Sequence, residues 1–455
     1  MSGIAVRCML RVLALIAAAG SLVATTRADD LRTLTDAYNS SGHDLFVRFA
    51  QAPGNIAFSP YAIGTAMAMT LAGARGETAT EMAGVLRQTL SRADIDAAHT
   101  GALATINGYD RDPATCPAGS TPIPEVTAFG LHHCVAPLPA DHHCQAGFSD
   151  ERRCLIIVKD PASARFRIVN ALMLPKGRGD VVSADYAGLL RDRYQAELFR
   201  DADLGIVNSW VNRETEGRID RILARLRPNA DAVILNAVYF KAAWRTPFHE
   251  NATRMDDFNL TPSEKTKVSM MHAMGRYPVL DGAGYRAIRL PYSVDALSMV
   301  IALPNDPDGA TGLARDLDAV RLAALFRDLH AAKEIEIAVP RFRIDFTADL
   351  APLFILAGMK RAFAPGAADF SGVTGRPPVA VQLAIGEIRH RAVIDVNESG
   401  TERAAASAII MLASVMPAEA EPFVVDRPFL FYVVDDATGA ILFQGRISDP
   451  RPPPS

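Results

Sequence analysis

The stretch NESGTERAAASAIIMLASVMP, Asn397 to Pro417, decides how this chain is read. Ser399 and Glu402 stand at capping-box spacing ahead of an alanine-rich run, which locally resembles the opening of a helix. The flanks contradict that reading. AVIDV precedes the stretch and FVVDRPFLFYVV follows it, both strand-like, and so weak an apolar stripe would find little to pack against between them. The small, nearly featureless residues between two strong strands therefore need another explanation.

Working outward, the chain has 455 residues, 49% of them apolar, and a net charge of -4. This is a globular composition without any Lys/Arg run dense enough to follow a phosphate backbone, so no nucleic-acid partner is expected. Arg7 and Arg11, the apolar LRVLALIAAAGSLVA and the small-x-small site Thr26-Arg27-Ala28 read as an export signal over residues 1–28. Its apolar core is shorter than the roughly 20 residues that span a bilayer, and no later stretch reaches spanning length. The mature chain, 29–455, is expected to be soluble and monomeric, either secreted or periplasmic. The sequons at Asn39, Asn251, Asn259 and Asn397 matter only in a glycosylating pathway.

Cys8 leaves with the signal. Cys116, Cys134, Cys144 and Cys154 remain, an even set that suggests two local disulfides, with three pairings open. They lie in an excursion at 109–164, rich in Pro, Cys and His and without clean periodicity. Within it LHHC and DHHC repeat a unit whose imidazoles and thiolates suit zinc or copper, although oxidised cysteines cannot ligate as thiolates. Disulfides are the reading adopted, with no metal and no cofactor.

The remainder is α+β in one domain. Asp36 to Leu90 is helical, and RIVNALMLP is a strand followed by helical stretches that include NSWVNRETEGRIDRILARL. AVILNAVYF, TKVSMM, AIRLPY, LSMVIALP and EIEIAVPRFRIDF follow as strands, then a helical LAPLFILAGMKRAF. VAVQLAIGEI, RAVIDV, FLFYVV and AILFQGRI close the sheets. No enzyme motif survives inspection. HENAT lacks a second zinc-binding His, GFSDE lacks the closing Gly of a nucleophile elbow, and GARGE lacks the lysine of a phosphate loop.

Read motif by motif, HRAVIDVNESGTERAAAS (His390 to Ser407) and FVVDRPFLFYVVDDATGAILFQGRISDP (Phe423 to Pro450) resemble the hinge and carboxy-terminal signature of the serpins. NIAFSPYAIGTAMAMTLAGARGETATEM, LNAVYFKAAWRTPF, VSMMH, LPYSVDALSMVIALP and AGMKRAF also fit, in family order. The resemblance implies a fold with about three sheets and eight to nine helices, and a reactive-centre loop at 398–422. It implies a suicide inhibitor of a serine protease: the loop is cleaved and inserts as a new strand while the protease is still held as a covalent acyl complex.

Small residues suit that task, because Glu398, Ser399, Gly400, Thr401, Glu402, Arg403, Ala404, Ala405, Ala406 and Ser407 must slip between strands already paired. The resemblance makes Glu398 the hinge acid, Arg341 its basic partner and Trp244 the aromatic at the head of the opening sheet. Ser59, Asn236 and His390 fall in a polar shutter where hydroxyl, amide and imidazole satisfy one another. Placing Gly400 as the family's hinge glycine puts the scissile bond at Ser414–Val415, with Leu412–Ala413 and Met416–Pro417 as neighbouring alternatives. No Lys or Arg occurs between Arg403 and Arg427, so an elastase-, chymotrypsin- or subtilisin-like target is expected rather than a trypsin-like one. Arg403 stands where inhibitory serpins usually carry alanine, which leaves as the alternative a non-inhibitory extracellular binding or metal-binding protein.

Overall fold

The computed structural model describes residues 28–111, 116, 118, 120–122, 131–137, 153–159, 163–175, 177, 181–227, 231–401 and 422–452. Helix α1 covers 28–49. Strand β1 (Ile56–Phe58) leads into α2 (Pro60–Gly73), α3 (Gly76–Val85) and α4 (Arg92–Asn107). Then come β2 (Thr121–Pro122), β3 (Leu131–Pro137), β4 (Arg153–Lys159) and β5 (Ala164–Leu174). Next are α5 (Ala184–Tyr194), β6 (Glu197–Arg200), α6 (Leu204–Glu214) and β7 (Ala232–Ala243). Strands β8 (Arg254–Asn259), β9 (Lys265–Gly282), β10 (Tyr285–Pro291) and β11 (Leu297–Pro304) precede α7 (Ala310–Asp316) and α8 (Ala319–Asp328). Strands β12 (Ala332–Pro340) and β13 (Phe342–Asp349) are followed by α9 (Ala351–Leu356) and α10 (Ser371–Thr374). The chain closes with β14 (Ile385–Asn397), β15 (Gly400–Thr401), β16 (Phe423–Val424), β17 (Phe429–Asp435) and β18 (Ala440–Ile447).

Among the described residues these strands form three sheets in an α+β fold. A six-stranded sheet runs β13-β14-β15-β7-β5-β6, with β14 also paired directly to β7. A nine-stranded sheet is threaded by the 18-residue β9, which pairs with β8, β10 and β12. β2, β3 and β4 make a small sheet of their own.

The central strand β7 shows why the six-stranded sheet is the heart of the molecule. Its sequence AVILNAVYFKAA is a near-continuous apolar run, as expected of a strand buried on both faces. Ile234, Val238 and Phe240 face the main core, while Val233, Leu235 and Ala237 face a second cluster with Val207 and Val211 of α6. On the main-core side lies α2, buried at every position. It is apolar all round, as an interior helix must be, and is started by Pro60 behind the Ser59 cap.

Four sequence expectations are corrected. The helix at 208–226 stops at Glu214, because Glu216 and Gly217 take positive φ of 52° and 76°. The segment beyond is pinned by Asn208, whose Oδ1 accepts from Ile222 and Leu223 N–H at 2.9 and 3.1 Å. EIEIAVPRFRIDF is not one strand but two in different sheets, parting at Arg341 after Pro340. The strand expected from Val379 begins only at Ile385, and Val379 itself is exposed. The excursion at 109–164, read as irregular, carries β2, β3 and β4.

In that excursion Cys116 and Cys134 form a disulfide. Cys154 is also disulfide-bonded, and Cys144 lies outside the described residues. The base of the excursion is closed by Ala164 N–H on Tyr109 C=O at 2.8 Å and by Arg165 on Asp110 at 2.9 Å.

The carboxy-terminal strand is locked by one buried cation. Arg446 donates to the carbonyls of Ala50, Ala52 and Gly54 at 2.8, 2.6 and 3.0 Å and to Thr311 Oγ1 at 2.9 Å. Burial lowers its pKa. Arg446→Met should cost about 3 kcal/mol, since several buried acceptors lose a charged donor together. In calorimetry that should lower the melting temperature by about 3 °C; a drop under about 1 °C would show that these carbonyls are satisfied without the guanidinium.

Candidate functional site

The site is the head of the six-stranded sheet. β14 and β7 run parallel and are paired from Ile385/Ala232 to Val393/Tyr239. Beyond that row they part. The chain leaving β14 turns at Glu398–Ser399, with Ser399 N–H donating to Asn397 Oδ1 at 3.0 Å, and re-enters between the two strands as β15. The capping-box reading of Ser399 is thereby replaced by a turn and a strand. Gly400 pairs with Asn397 and Ala243, and Thr401 with Val396 and Ala242, antiparallel to both neighbours. Only glycine fits at 400: a Cβ there would sit 2.1 Å from the Ala242 carbonyl oxygen and 2.8 Å from Ala243 Cα.

The turn is gripped from below. Trp244 Nε1–H donates to Asn397 C=O at 2.9 Å, Trp244 N–H to Ser399 C=O at 3.0 Å and Phe248 N–H to Glu398 C=O at 2.9 Å. The Glu398 side chain, 4% exposed, accepts from Arg341 Nε at 2.6 Å and Nη2 at 2.5 Å, and from the Thr253 hydroxyl. A buried carboxylate needs such charged and neutral donors together. Thr401 is fully buried, and its hydroxyl lies 2.7 Å from the Tyr292 hydroxyl. Tyr292 stacks on Trp244 at 4.5 Å and meets Phe240 edge-on at 5.1 Å. Glu398, Arg341, Gly400, Thr401 and Trp244 are thus brought together.

Further down the seam, Asn170, Asn236 and His390 stand in one row across β5, β7 and β14. Asn236 Nδ2 donates to Asn170 Oδ1 at 2.5 Å and to Ala62 C=O at 3.1 Å. Its Oδ1 faces His390 Nδ1 at 2.5 Å, so that nitrogen carries the proton. Ser59 joins indirectly: its Oγ accepts from Ala62 N–H at 2.9 Å, and the Ala62 carbonyl then receives Asn236. The amide and the imidazole Nδ1 pair with one another, His390 Nε2 is buried with no hydrogen-bond partner among the described residues, and the Ser59 hydroxyl caps α2. Asn170, Tyr292 and Thr253 were missed. Asn170 had a signal, a lone amide in an apolar strand like that of Asn236; the other two are placed by the tertiary fold alone.

Glu402, Arg403, Ala404, Ala405, Ala406, Ser407, Leu412, Ser414, Val415 and Met416 lie outside the described residues. Among the described residues no group of three or more His, Cys, Asp or Glu is placed to hold a metal ion, and no helix is long and apolar enough to cross a membrane.

A sheet with a partly filled slot between two parallel strands, and at its head a buried acid held by a half-exposed arginine, define the class. The family model described as Serpin (serine protease inhibitor) matches residues 36–450. A serpin-like protein of Thermococcus kodakarensis is 31% identical over 448 residues, 95% of this chain and 90% of its own length. The leukocyte elastase inhibitor of Equus caballus is 35% identical over 59% of this chain and 73% of its own length. The crystal structure of the thermophilic serpin tengpin in its native state superposes with a TM-score of 0.71 at 22% identity, covering 91% of this chain and 94% of that one. The chain belongs to the serpin family. Its relatives named for an activity are inhibitors of proteases, not enzymes.

Two buried histidines set a pH dependence. His390, in the seam, is pushed down to about 3 by burial, and His99, stacked on Tyr194 at 4.9 Å, down to about 4. Both are neutral when folded and titrate near 6.5 when unfolded, so their stability is present in full above that value. It drains as pH falls through 6.5 towards 3 or 4, by about 1.4 kcal/mol per histidine per pH unit. Urea midpoints should fall from pH 7.5 to pH 5, and His99→Phe should flatten the slope, with His390 and the partly buried His43 keeping the remainder; an unchanged slope in that variant would rule His99 out as a contributor.

Proposed function

We propose that this protein is a suicide inhibitor of serine endopeptidases that traps the acyl-enzyme by inserting its loop between β14 and β7. The observation that carries the reading is β15: the first hinge residues already pair antiparallel to both strands. In this reading residues 1–28 are an export signal and the mature inhibitor, 29–455, acts outside the cytoplasm as a monomer. Residues 109–164 are an excursion and 398–422 the reactive loop, with Ser414–Val415 as the scissile bond, or Leu412–Ala413 or Met416–Pro417 beside it.

Continuing the register of β15 gives each hinge residue an address. Glu402 falls opposite Lys241 and Asp395, and Ala404 opposite Tyr239 and Val393. Ala405 falls opposite Val238 and Ala392, and Ser407 opposite Asn236 and His390. The arriving Ser407 hydroxyl replaces partners that the shutter pair loses when the seam opens. Alternation puts Arg403 on the same face as Thr401, opposite Phe240 and Ile394, both fully buried in the main core. A guanidinium there costs several kcal/mol unless it reaches water along its stem. Arg403 therefore slows insertion and gives the protease time to hydrolyse the ester. This favours partial partition into a cleaved, uninhibited product.

The target reading rests on composition: the segment between Arg403 and Arg427 offers no cation to a carboxylate-ended specificity pocket. Incubation with pancreatic elastase, chymotrypsin and subtilisin should yield an SDS-stable band at the summed mass and a released peptide beginning at Val415 or a close neighbour. Trypsin should yield none. Arg403→Ala should raise the fraction of complex over cleaved protein several-fold. Cleavage without complex by every protease, in both the parent and Arg403→Ala, would leave the non-inhibitory binding protein as the reading to keep.

A further inference from the structure

Against the Trp244–Phe248 segment lies a cavity of about 90 Å³, walled by Trp244, Phe248, Tyr277, Leu290 and Pro291. Gly275 lets the Tyr277 ring lie directly against the backbone at the cavity wall. A Cβ there would sit 2.9 Å from the Tyr277 ring and 3.3 Å from its hydroxyl. Tyr277 is only 5% exposed, and its hydroxyl is buried with no hydrogen-bond partner among the described residues. A buried phenol ordinarily finds one. Burial pushes this phenol up to about 12, so it remains a donor at neutral pH. Arg245, held by Asp295 at 2.7 Å, and Arg276, which makes no ion pair with a described residue, also line the cavity.

The side-chain groups that converge here are donors and apolar walls, with no carboxylate among the lining residues. An occupant must therefore bring the acceptor. The volume falls short of the ~150 Å³ cavity that takes benzene. An occupant of about four to six heavy atoms fits that space. We propose that this cavity is a binding site for a short aliphatic carboxylate. Its tail packs on Trp244, Phe248 and Leu290, and its oxygens accept from the Tyr277 hydroxyl and a rim guanidinium. Because the same segment holds the carbonyls of Asn397, Glu398 and Ser399, an occupant here steadies the hinge in the conformation seen. The assignment does not depend on whether the protein inhibits a protease.

The test uses the full mature chain carrying Trp210→Phe, which leaves Trp244 as the sole emitter of the two tryptophans. Isobutyrate, added at constant ionic strength against chloride, should change the emission saturably and raise the melting temperature. Isobutanol, which lacks the charge, should bind at least about tenfold more weakly, the scale of one charged hydrogen bond. Tyr277→Phe, which removes only an unpartnered hydroxyl, should fold normally and weaken isobutyrate by about tenfold. Gly275→Ala, whose Cβ would meet the Tyr277 ring at 2.9 Å and displace its hydroxyl, should weaken or abolish the response; if that variant fails to fold, Tyr277→Phe decides alone. A response that never saturates, or an unchanged half-saturation in Tyr277→Phe, would overturn the site and leave the cavity to water.

Discussion

Everything in this fold is arranged around the seam between β7 and β14. The two strands are parallel, so a strand that turns back from the end of β14 can only lie antiparallel to both. Parallel pairing is the less stable kind per residue, and an inserted strand replaces one such interface with two antiparallel ones. The seam is therefore the place where the sheet has most to gain by opening. What opposes opening is local: the parallel ladder from Ile385 to Val393 and the row Asn170–Asn236–His390, whose buried amides and imidazole would be orphaned if the strands separated alone.

The layers on either side impose a second constraint. β7 is buried on both faces, beneath α6 with Val207 and Val211 on one side and against the main core with α2 on the other. A new strand cannot be admitted without sliding one of these layers. In the proposed insertion small side chains reduce that displacement, which suits Ala404, Ala405, Ala406 and Ser407 and makes Glu402 and above all Arg403 ahead of them the exceptions. Thr401 shows the fit that is required: fully buried, yet with its one polar atom matched to the Tyr292 hydroxyl at 2.7 Å.

Sequence patterns disclosed the parts of this arrangement that depend on composition. The unbroken apolar runs of β7 and β17 and the glycine at 400 each carry their physical reason on the page of the sequence. What stayed hidden depends on partners far along the chain. Tyr292 meets Thr401 across 109 residues, and Thr253 meets Glu398 across 145, with nothing local to announce either contact. Two positive-φ residues ended a helix that periodicity would have continued past Glu214. The break at Pro340–Arg341 was invisible because strand propensity is high on both sides; only the assignment of β12 and β13 to different sheets reveals it.

That break carries the electrostatic latch. Arg341 is the residue at which the chain leaves the nine-stranded sheet for the six-stranded one, and its own N–H donates to Ser269 C=O on β9 at 2.9 Å. The backbone of Arg341 thus belongs to one sheet, while its guanidinium grips Glu398 at the end of a strand in the other. The guanidinium is 45% exposed and the carboxylate 4%, so the burden of burial falls on the acid. Water can satisfy Arg341 if the pair parts, but nothing replaces it for Glu398 except movement of the turn into solvent. The hinge therefore cannot be released without exposing Glu398, and Glu398 cannot be exposed without giving up the carbonyl bonds to Trp244 and Phe248. One crossover residue ties the relative position of two sheets to the state of the slot between β7 and β14.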